Sequence, residues 1–234
     1  MKVSIVGAGN AGCFTALYYS WHAKDIEVEL IHNPDKPPVT VGQGTIPGAL
    51  ELLHNTTRFN WHNNRAHATP KTGFLYEGWG KINYEVMHPF PAENMAMHFC
   101  PHEMQTEILN SGRFKVTEGD VEPKDVDADY VFDARGCMSH DYIKLTSPVN
   151  SVILGKPKWN TLENLWTEGV ATPNGWTFVI PMHSTSPSHK ESVGYIYNNQ
   201  ITKTEDAEKN FQEFFEVEVT RHLTLIVTLH VNLL

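Results

Sequence analysis

The six residues GAGNAG at positions 7–12 constrain this chain more than any other stretch. They follow directly on a short apolar, β-type run at 2–6, residues 13–21 then read as a helix, and strand character resumes at 26–31. A glycine turn between a strand and a helix is the setting in which G-x-G-x-x-G binds a dinucleotide. Each glycine has its own task there: Gly7 permits the tight turn, Gly9 lets the backbone approach a pyrophosphate, and Gly12 lets helix and strand pack closely. Ala11 belongs to the same turn, where the first helical N–H groups and the positive end of the helix dipole meet the anion. The second strand of such a unit usually ends on an acidic residue that bonds a ribose hydroxyl. His32 holds that place, with Asp35 beyond Pro34, so ribose recognition stays unassigned.

Composition excludes several classes. A net charge of −9 without a basic stripe argues against nucleic acid as the main partner, because phosphate contacts need clustered Lys and Arg. Cys13, Cys100 and Cys137 are too few and too scattered for a disulfide framework and suit a reducing compartment. The N-terminus carries one lysine and then a strand, with no secretory h-region, and no apolar run is long enough to span a bilayer. A cytoplasmic protein with no membrane partner is expected.

Further along, residues 48–54 read as a short helix, and 55–68 as either helix or irregular connection. Residues 71–79 read as a strand, and alternation would set Lys71, Gly73, Leu75 and Glu77 on one face, with Gly73 leaving room beside the amine. Residues 84–101, dense in Met, His, Phe and Pro, read as loop and pocket wall. A helix is expected at 103–109, a strand at 114–121, and a buried strand at 129–133 running into Ala134-Arg135-Gly136. Residues 144–158 are mixed, 176–182 and 193–197 are strand-like, and 205–215 form a helix on the spacing of Ala207, Phe211, Phe214 and Phe215. The alternating tail from 217 reads as an edge strand. His98, Cys100 and His102 are spaced too tightly for the paired ligand spacing of zinc, so no metal site is expected.

Several separated motifs agree on one family. VGQGTIP at 41–47 resembles a VGE-(small)-TIP segment that lies along a flavin, and PKTGF at 70–74 resembles the strand that carries a catalytic lysine. VFDARG at 131–136 resembles the later flavin-binding segment of the FAD monooxygenases. WTFVIP at 176–181 is similar to the WxWxIP signature of halogenases, and GYIY at 194–197 to the strand that follows it. With GAGNAG, these motifs in this order resemble the flavin-dependent halogenases of the tryptophan-halogenase-like group, from residue 2 to about 210. Gln43 stands where the family has glutamate, Phe178 where it has a second tryptophan, and His32 where it has an acid. Members are longer, and from 217 the resemblance ends, which implies a chain truncated at its C-terminus.

The resemblance implies an α/β fold of the FAD/NAD(P)-binding Rossmann type, glutathione-reductase-like, with a β-rich substrate-binding layer. Residues 1–47 and 100–145 would form the FAD-binding part, 48–99 and 146–216 the substrate-facing part, and 217–234 an atypical tail. FAD, supplied reduced as FADH2 by a separate flavin reductase, and a halide ion would generate hypohalous acid that reaches Lys71. Gly7, Gly9, Ala11, Gly12 and His32 would contact the cofactor, together with Gly42, Gln43, Thr45, Ile46, Asp133 and Gly136. Trp176, Phe178, Ile180 and Pro181 would line the channel, and Trp61, Trp79, Phe90 and Phe99 are candidates for stacking an aromatic substrate. The implied reaction is halogenation of an electron-rich aromatic of the indole or phenol type. A flavin-dependent hydroxylase and a truncated, non-catalytic flavin-binding protein stay open as alternatives, as does assembly into a homo-oligomer.

Overall fold

Residues 2–6 and 27–32 are strands whose side chains are buried on both faces, the mark of a parallel sheet covered above and below. The computed structural model describes residues 1–80, 84–136, 143–144, 147–186, 191–224 and 228–229. The first half of the chain runs β1 (Lys2–Val6), α1 (Asn10–His22), β2 (Glu27–His32), β3 (Gln43–Gly44), α2 (Ala49–Thr57), β4 (Thr69–Lys71), β5 (Gly73–Glu77), β6 (Glu85–Pro89), β7 (Ala96–Phe99) and α3 (Pro101–Leu109). The second half runs β8 (Lys115–Glu118), β9 (Tyr130–Asp133), β10 (Ile143–Lys144), β11 (Ser151–Pro157), β12 (Thr167–Thr172), β13 (Gly175–Val179), β14 (Val193–Tyr197), α4 (Thr204–Phe214), β15 (Val217–Thr224) and β16 (Thr228–Leu229).

A four-stranded sheet of order β8-β2-β1-β9 is parallel throughout. Its core face packs on α1, α2 and α3 through Val3, Ile5, Leu17, Leu30, Leu53, Met104 and Ile108, and this core reaches Met97 and Phe99 of β7. Glu29, on β2, is 5% exposed. Lys2 reaches its carboxylate from β1 at 3.0 Å and Lys115 from β8 at 2.8 Å, while Thr117 donates to it at 2.7 Å. These donors hold the Glu29 carboxyl down at about 2, with Lys115 the leading cause.

A mixed seven-stranded sheet of order β15-β11-β14-β13-β12-β5-β6 forms the second layer. One face buries Ile153, Val179, Tyr195 and Tyr197 beneath Ala207 and Phe211 of α4. The other face carries Val152, Leu154 and Ile196 with Trp176, Phe178, Val41 and Leu223. The alternating tail is an edge strand through Thr224, paired antiparallel with β11; residues 225–227 and 230–234 lie outside the described residues. Between the two layers sits a three-stranded antiparallel sheet of order β3-β7-β4.

Three sequence expectations are corrected. Residues 84–101 are not wall loops: they hold β6 and β7, and all four β7 side chains are buried, so no alternation marks the strand. Strand β9 is not buried. It closes one edge of the four-stranded sheet, and Tyr130 is 60% exposed. Residues 71–79 are not one strand, because the chain changes sheets at Thr72, whose N–H and hydroxyl both donate to Leu165 O.

Candidate functional site

The first feature is a cleft of about 450 Å³ over the ends of β1 and β2. It is lined by Gly7, Gly9, Ala11, His32, Gln43 and Gly136 of the expected cofactor residues, joined by Asn10, Asn33, Lys36, Gln105, Asp120 and Arg135. Gly7 has φ +108°, and a Cβ there would meet the Ala134 carbonyl at 2.6 Å. A Cβ on Gly12 would strike Gly7 O at 1.9 Å, so this glycine lets helix and turn touch rather than facing the cleft. Gly9, by contrast, has nothing within 4 Å of an added Cβ. Helix α1 begins with no side-chain cap and no acid in its first turn, and its first internal bond is Cys13 N to Gly9 O. The N–H groups ahead of Cys13 therefore have no helical acceptor and face a site suited to an anion. Gln105 donates to Ala8 O at 2.7 Å and braces the turn from α3. The Cys13 thiol donates to the same carbonyl, and burial pushes it up to about 12, so it is a packing group. On the rim, Lys36 pairs with Asp120 at 2.9 Å, and Arg135 pairs with Asp133 at 2.9 Å and Glu122 at 3.0 Å.

Not every expected cofactor residue lines this cleft. A Cβ on Gly42 would meet Ile180 and Met182 at 3.2 Å, so Gly42 packs against the second sheet. The Thr45 hydroxyl accepts from Met97 N at 3.0 Å. Ile46 is 75% exposed, and the Asp133 carboxylate is bound to Arg135.

The second feature is Lys71, at the end of β4 and 3% exposed. Its Nζ lies 3.8 Å from the Phe74 ring centroid and 5.7 Å from that of Phe90, and donates to Thr45 O across 3.4 Å. Burial pulls the amine down to about 8. The ring faces favour the ammonium, but they are small beside the loss of hydration. The space for the amine comes from Gly44, where a Cβ would sit 3.0 Å from Nζ. It does not come from Gly73, where a Cβ would strike His88 O at 2.3 Å; that glycine admits the backbone of β6. Register explains the arrangement: His98 on β7 faces Gly44 on one side and Thr69 on the other, and Lys71 faces Ala96. His98 is fully buried, its Nε2 is 2.9 Å from Thr167 Oγ1, and burial, helped by the Lys71 charge, pushes its imidazole down to about 3. It is a neutral neighbour of the amine, and nothing in the local sequence pattern marked it, or Gly44, as part of this site.

The expected channel residues lie along β13 and the chain just after it. Trp176 and Phe178 lie on the face of β13 that carries Val41, with ring centroids 6.3 Å apart. Phe178 seats over Gly194, where a Cβ would meet its ring at 2.3 Å. Ile180 packs on Gly42, and Pro181 O accepts from Thr69 Oγ1 at 3.0 Å, which ties this segment to the lysine strand. Of the four stacking candidates, Phe90 borders the amine, Phe99 is core, Trp61 packs edge-on against Phe59, and Trp79 donates to Gly169 O.

The family described as tryptophan halogenase matches residues 2–118, half of the 234-residue chain. The chain belongs to the tryptophan halogenase family. This family is flavin-dependent, and its FAD-binding Rossmann-type fold is the α/β arrangement described above. Solved structures agree on that fold. MibH, a lanthipeptide tryptophan 5-halogenase, superposes with a TM-score of 0.77 at 15% identity over 97% of this chain and 58% of its own. A flavin-dependent halogenase from Xanthomonas campestris gives 0.76 at 16% identity, over 97% and 62%. A tryptophan halogenase from Shewanella frigidimarina gives 0.75 at 16%, over 97% and 63%. The chain thus spans about three-fifths of the length of the structures it matches. No curated protein matches it in sequence. Among the described residues, no helix is long and apolar enough to cross a membrane.

Proposed function

We propose that this chain performs FAD-dependent halogenation of an electron-rich aromatic substrate, an indole or a phenol, with Lys71 delivering the halogen. The observation that carries the reading is the Lys71 amine. It is 3% exposed, flanked by two aromatic rings, and held against Gly44 and Thr45 of the VGQGTIP segment. Residues 1–47 and 100–145 hold the flavin in this reading, and 48–99 and 146–216 face the substrate.

The cleft suits an FAD. The unfilled N–H groups at the start of α1 donate to a pyrophosphate seated against the open side of Gly9, and His32 and Asn33 stand where β2 ends beside the ribose. When bound in reduced form, the flavin supplies hypohalous acid from O2 and halide. At pH 7.5 an amine titrating near 8 is about one-quarter neutral, against about one in a thousand for an ordinary lysine. The neutral nitrogen takes the halogen from hypohalous acid and water leaves. The aromatic ring then takes the halogen from nitrogen and gives up a proton, and the amine is restored. Phe74, Phe90 and the Trp176–Phe178 wall keep water from the oxidant. A separate flavin reductase in the cytoplasm provides the reduced cofactor.

The test is a mass-spectrometric assay with FAD, an external flavin reductase, NADH, bromide or chloride, and a panel of indoles and phenols, run beside Lys71→Ala. Halogenated product that disappears in the variant is expected. Hydroxylated product, or no product together with failure to bind FAD, contradicts the proposal.

A further inference from the structure

From residue 33 to 42, between β2 and β3, the chain has no regular structure, yet Val39 and the adjoining Gln43 line the cleft. The far end of this stretch is held by β7. Gln43 faces Phe99, Thr45 N donates to Met97 O at 2.8 Å, and Thr45 Oγ1 accepts from Met97 N at 3.0 Å. The near side is tied by Glu191, which stands just ahead of β14. Gly42 N donates to Glu191 O at 2.8 Å, and Thr40 Oγ1 donates to Glu191 Oε2 at 2.6 Å.

Glu191 is 3% exposed, and a buried carboxylate persists only where donors meet it. A second hydroxyl reaches it from the edge strand. Thr220 Oγ1 lies 2.7 Å from Glu191 Oε1 and 3.2 Å from Leu154 O, and the shorter contact takes its proton. Thr220 can do this because β15 is bulged. Leu154 faces Arg221 and Gly155 faces Val219, so Thr220 is the extra residue with no partner across the ladder. A bulge re-aims a side chain in this way. Arg221 adds a guanidinium 3.7 Å from Oε2, itself 42% exposed. The carboxylate thus joins the irregular stretch to the edge of the mixed sheet, while none of Thr40, Gly42, Glu191 and Thr220 lines the cleft.

We propose that Glu191 is a positioning residue for the cofactor cleft: by clasping Thr40 and Gly42 to Thr220 of β15, it fixes the Val39 and Gln43 wall against the part of the ligand beyond the pyrophosphate. The ligand's being FAD rests on the flavin reading above; the clasp does not. In a dinucleotide site the glycine turn takes the pyrophosphate and the end of the second strand takes the ribose. Glu191 supports neither, so its loss is felt in the flavin half. Its bonds to hydroxyls are charge-assisted and hold a stretch that has no ladder of its own.

The test is calorimetric titration of the full chain with FAD and with ADP, which lacks the flavin half. Glu191→Ala should weaken FAD at least about tenfold and ADP less than about twofold, because a wall that must be ordered on binding costs affinity only for the ligand that touches it. Glu191→Gln keeps an oxygen for one hydroxyl and an N–H for the oxygen of the other, and should hold FAD affinity within about threefold. Thr220→Val removes the tie from the edge strand and should weaken FAD about threefold. Equal weakening of FAD and ADP in Glu191→Ala would mark a merely structural role and overturn the proposal. FAD affinity unchanged in Glu191→Ala would overturn it as well and leave the flavin reading standing. Unaltered protein that binds neither nucleotide would sink the flavin reading and the proposal together.

Discussion

The cleft at the glycine turn and the pocket around Lys71 handle charge in opposite ways. The cleft is lined by backbone, with donors ahead of Cys13 left unfilled by the helix and rim cations already paired to carboxylates. Around Lys71 the work is done by side chains that remove water. Among the described residues its amine meets one long carbonyl contact, two ring faces and a neutral imidazole, with no carboxylate. Glu29 makes the same contrast within the cleft's own sheet: a buried carboxylate given three donors stays charged, whereas a buried ammonium given no carboxylate and one long carbonyl contact is pushed toward neutrality. The donors around Glu29 satisfy its charge, and the surroundings of Lys71 starve its own.

The largest effect that would break this contrast is Gly12→Ala. The new Cβ would meet Gly7 O at 1.9 Å and the backbone would have to separate, so a loss of about 3 kcal/mol or more is expected by denaturant unfolding. Next comes Lys71. Its folded value of about 8 lies below the unfolded one, so the unfolded chain binds more protons between about 8 and 10.5 and stability rises with pH there. The burial penalty is fully present below about 8 and amounts to about 3 kcal/mol at most. Lys71→Met should flatten that rise and raise stability at pH 7 while abolishing product, a pattern visible in unfolding curves at stepped pH.

Glu29 has the opposite sign. Its folded value is depressed, so its contribution is complete above about 4.5 and is lost as pH falls toward about 2. Because Lys2 and Lys115 are 34% and 60% exposed, its worth is discounted to about 1–2 kcal/mol, and Glu29→Gln should remove that acid-side slope. A smaller effect is expected of Gly44→Ala. The Cβ would press on the flexible end of Lys71 at 3.0 Å, costing less than about 1 kcal/mol in stability. It should lower product yield by displacing the amine, as read by mass spectrometry. Gly9→Ala should be the mildest, within about 0.5 kcal/mol in unfolding, because nothing lies within 4 Å of the added methyl. It should nevertheless weaken FAD binding in a fluorescence titration, since the methyl enters the space a pyrophosphate would use.

The two regions also differ in how far sequence alone could reach them. The cleft's decisive residues are nearly contiguous at 7–12, and the strand-turn-helix pattern that carries them is local, so β1, α1 and β2 stand close to where composition and spacing put them. The lysine pocket draws on residues 44–45, 71, 74, 90, 98 and 167, and only pairing register brings them together. Lys71 is legible only through resemblance, and the sequence points to Gly73 rather than Gly44 as the glycine beside its amine, because the partner strand β6 reads as loop. Strand β7 is hidden for a related reason: with every side chain buried, it shows neither alternation nor a polar face.

The most direct test of the account is the titration of Lys71 itself. The Cε resonance of 13C-lysine-labelled protein, assigned by Lys71→Met, is followed from pH 6 to 11 without flavin. A midpoint near about 8, well below those of the surface lysines, is the result predicted for a dry, unpaired amine. A midpoint above about 10, level with the other lysines, would show a hydrated ammonium and contradict the role given to Lys71.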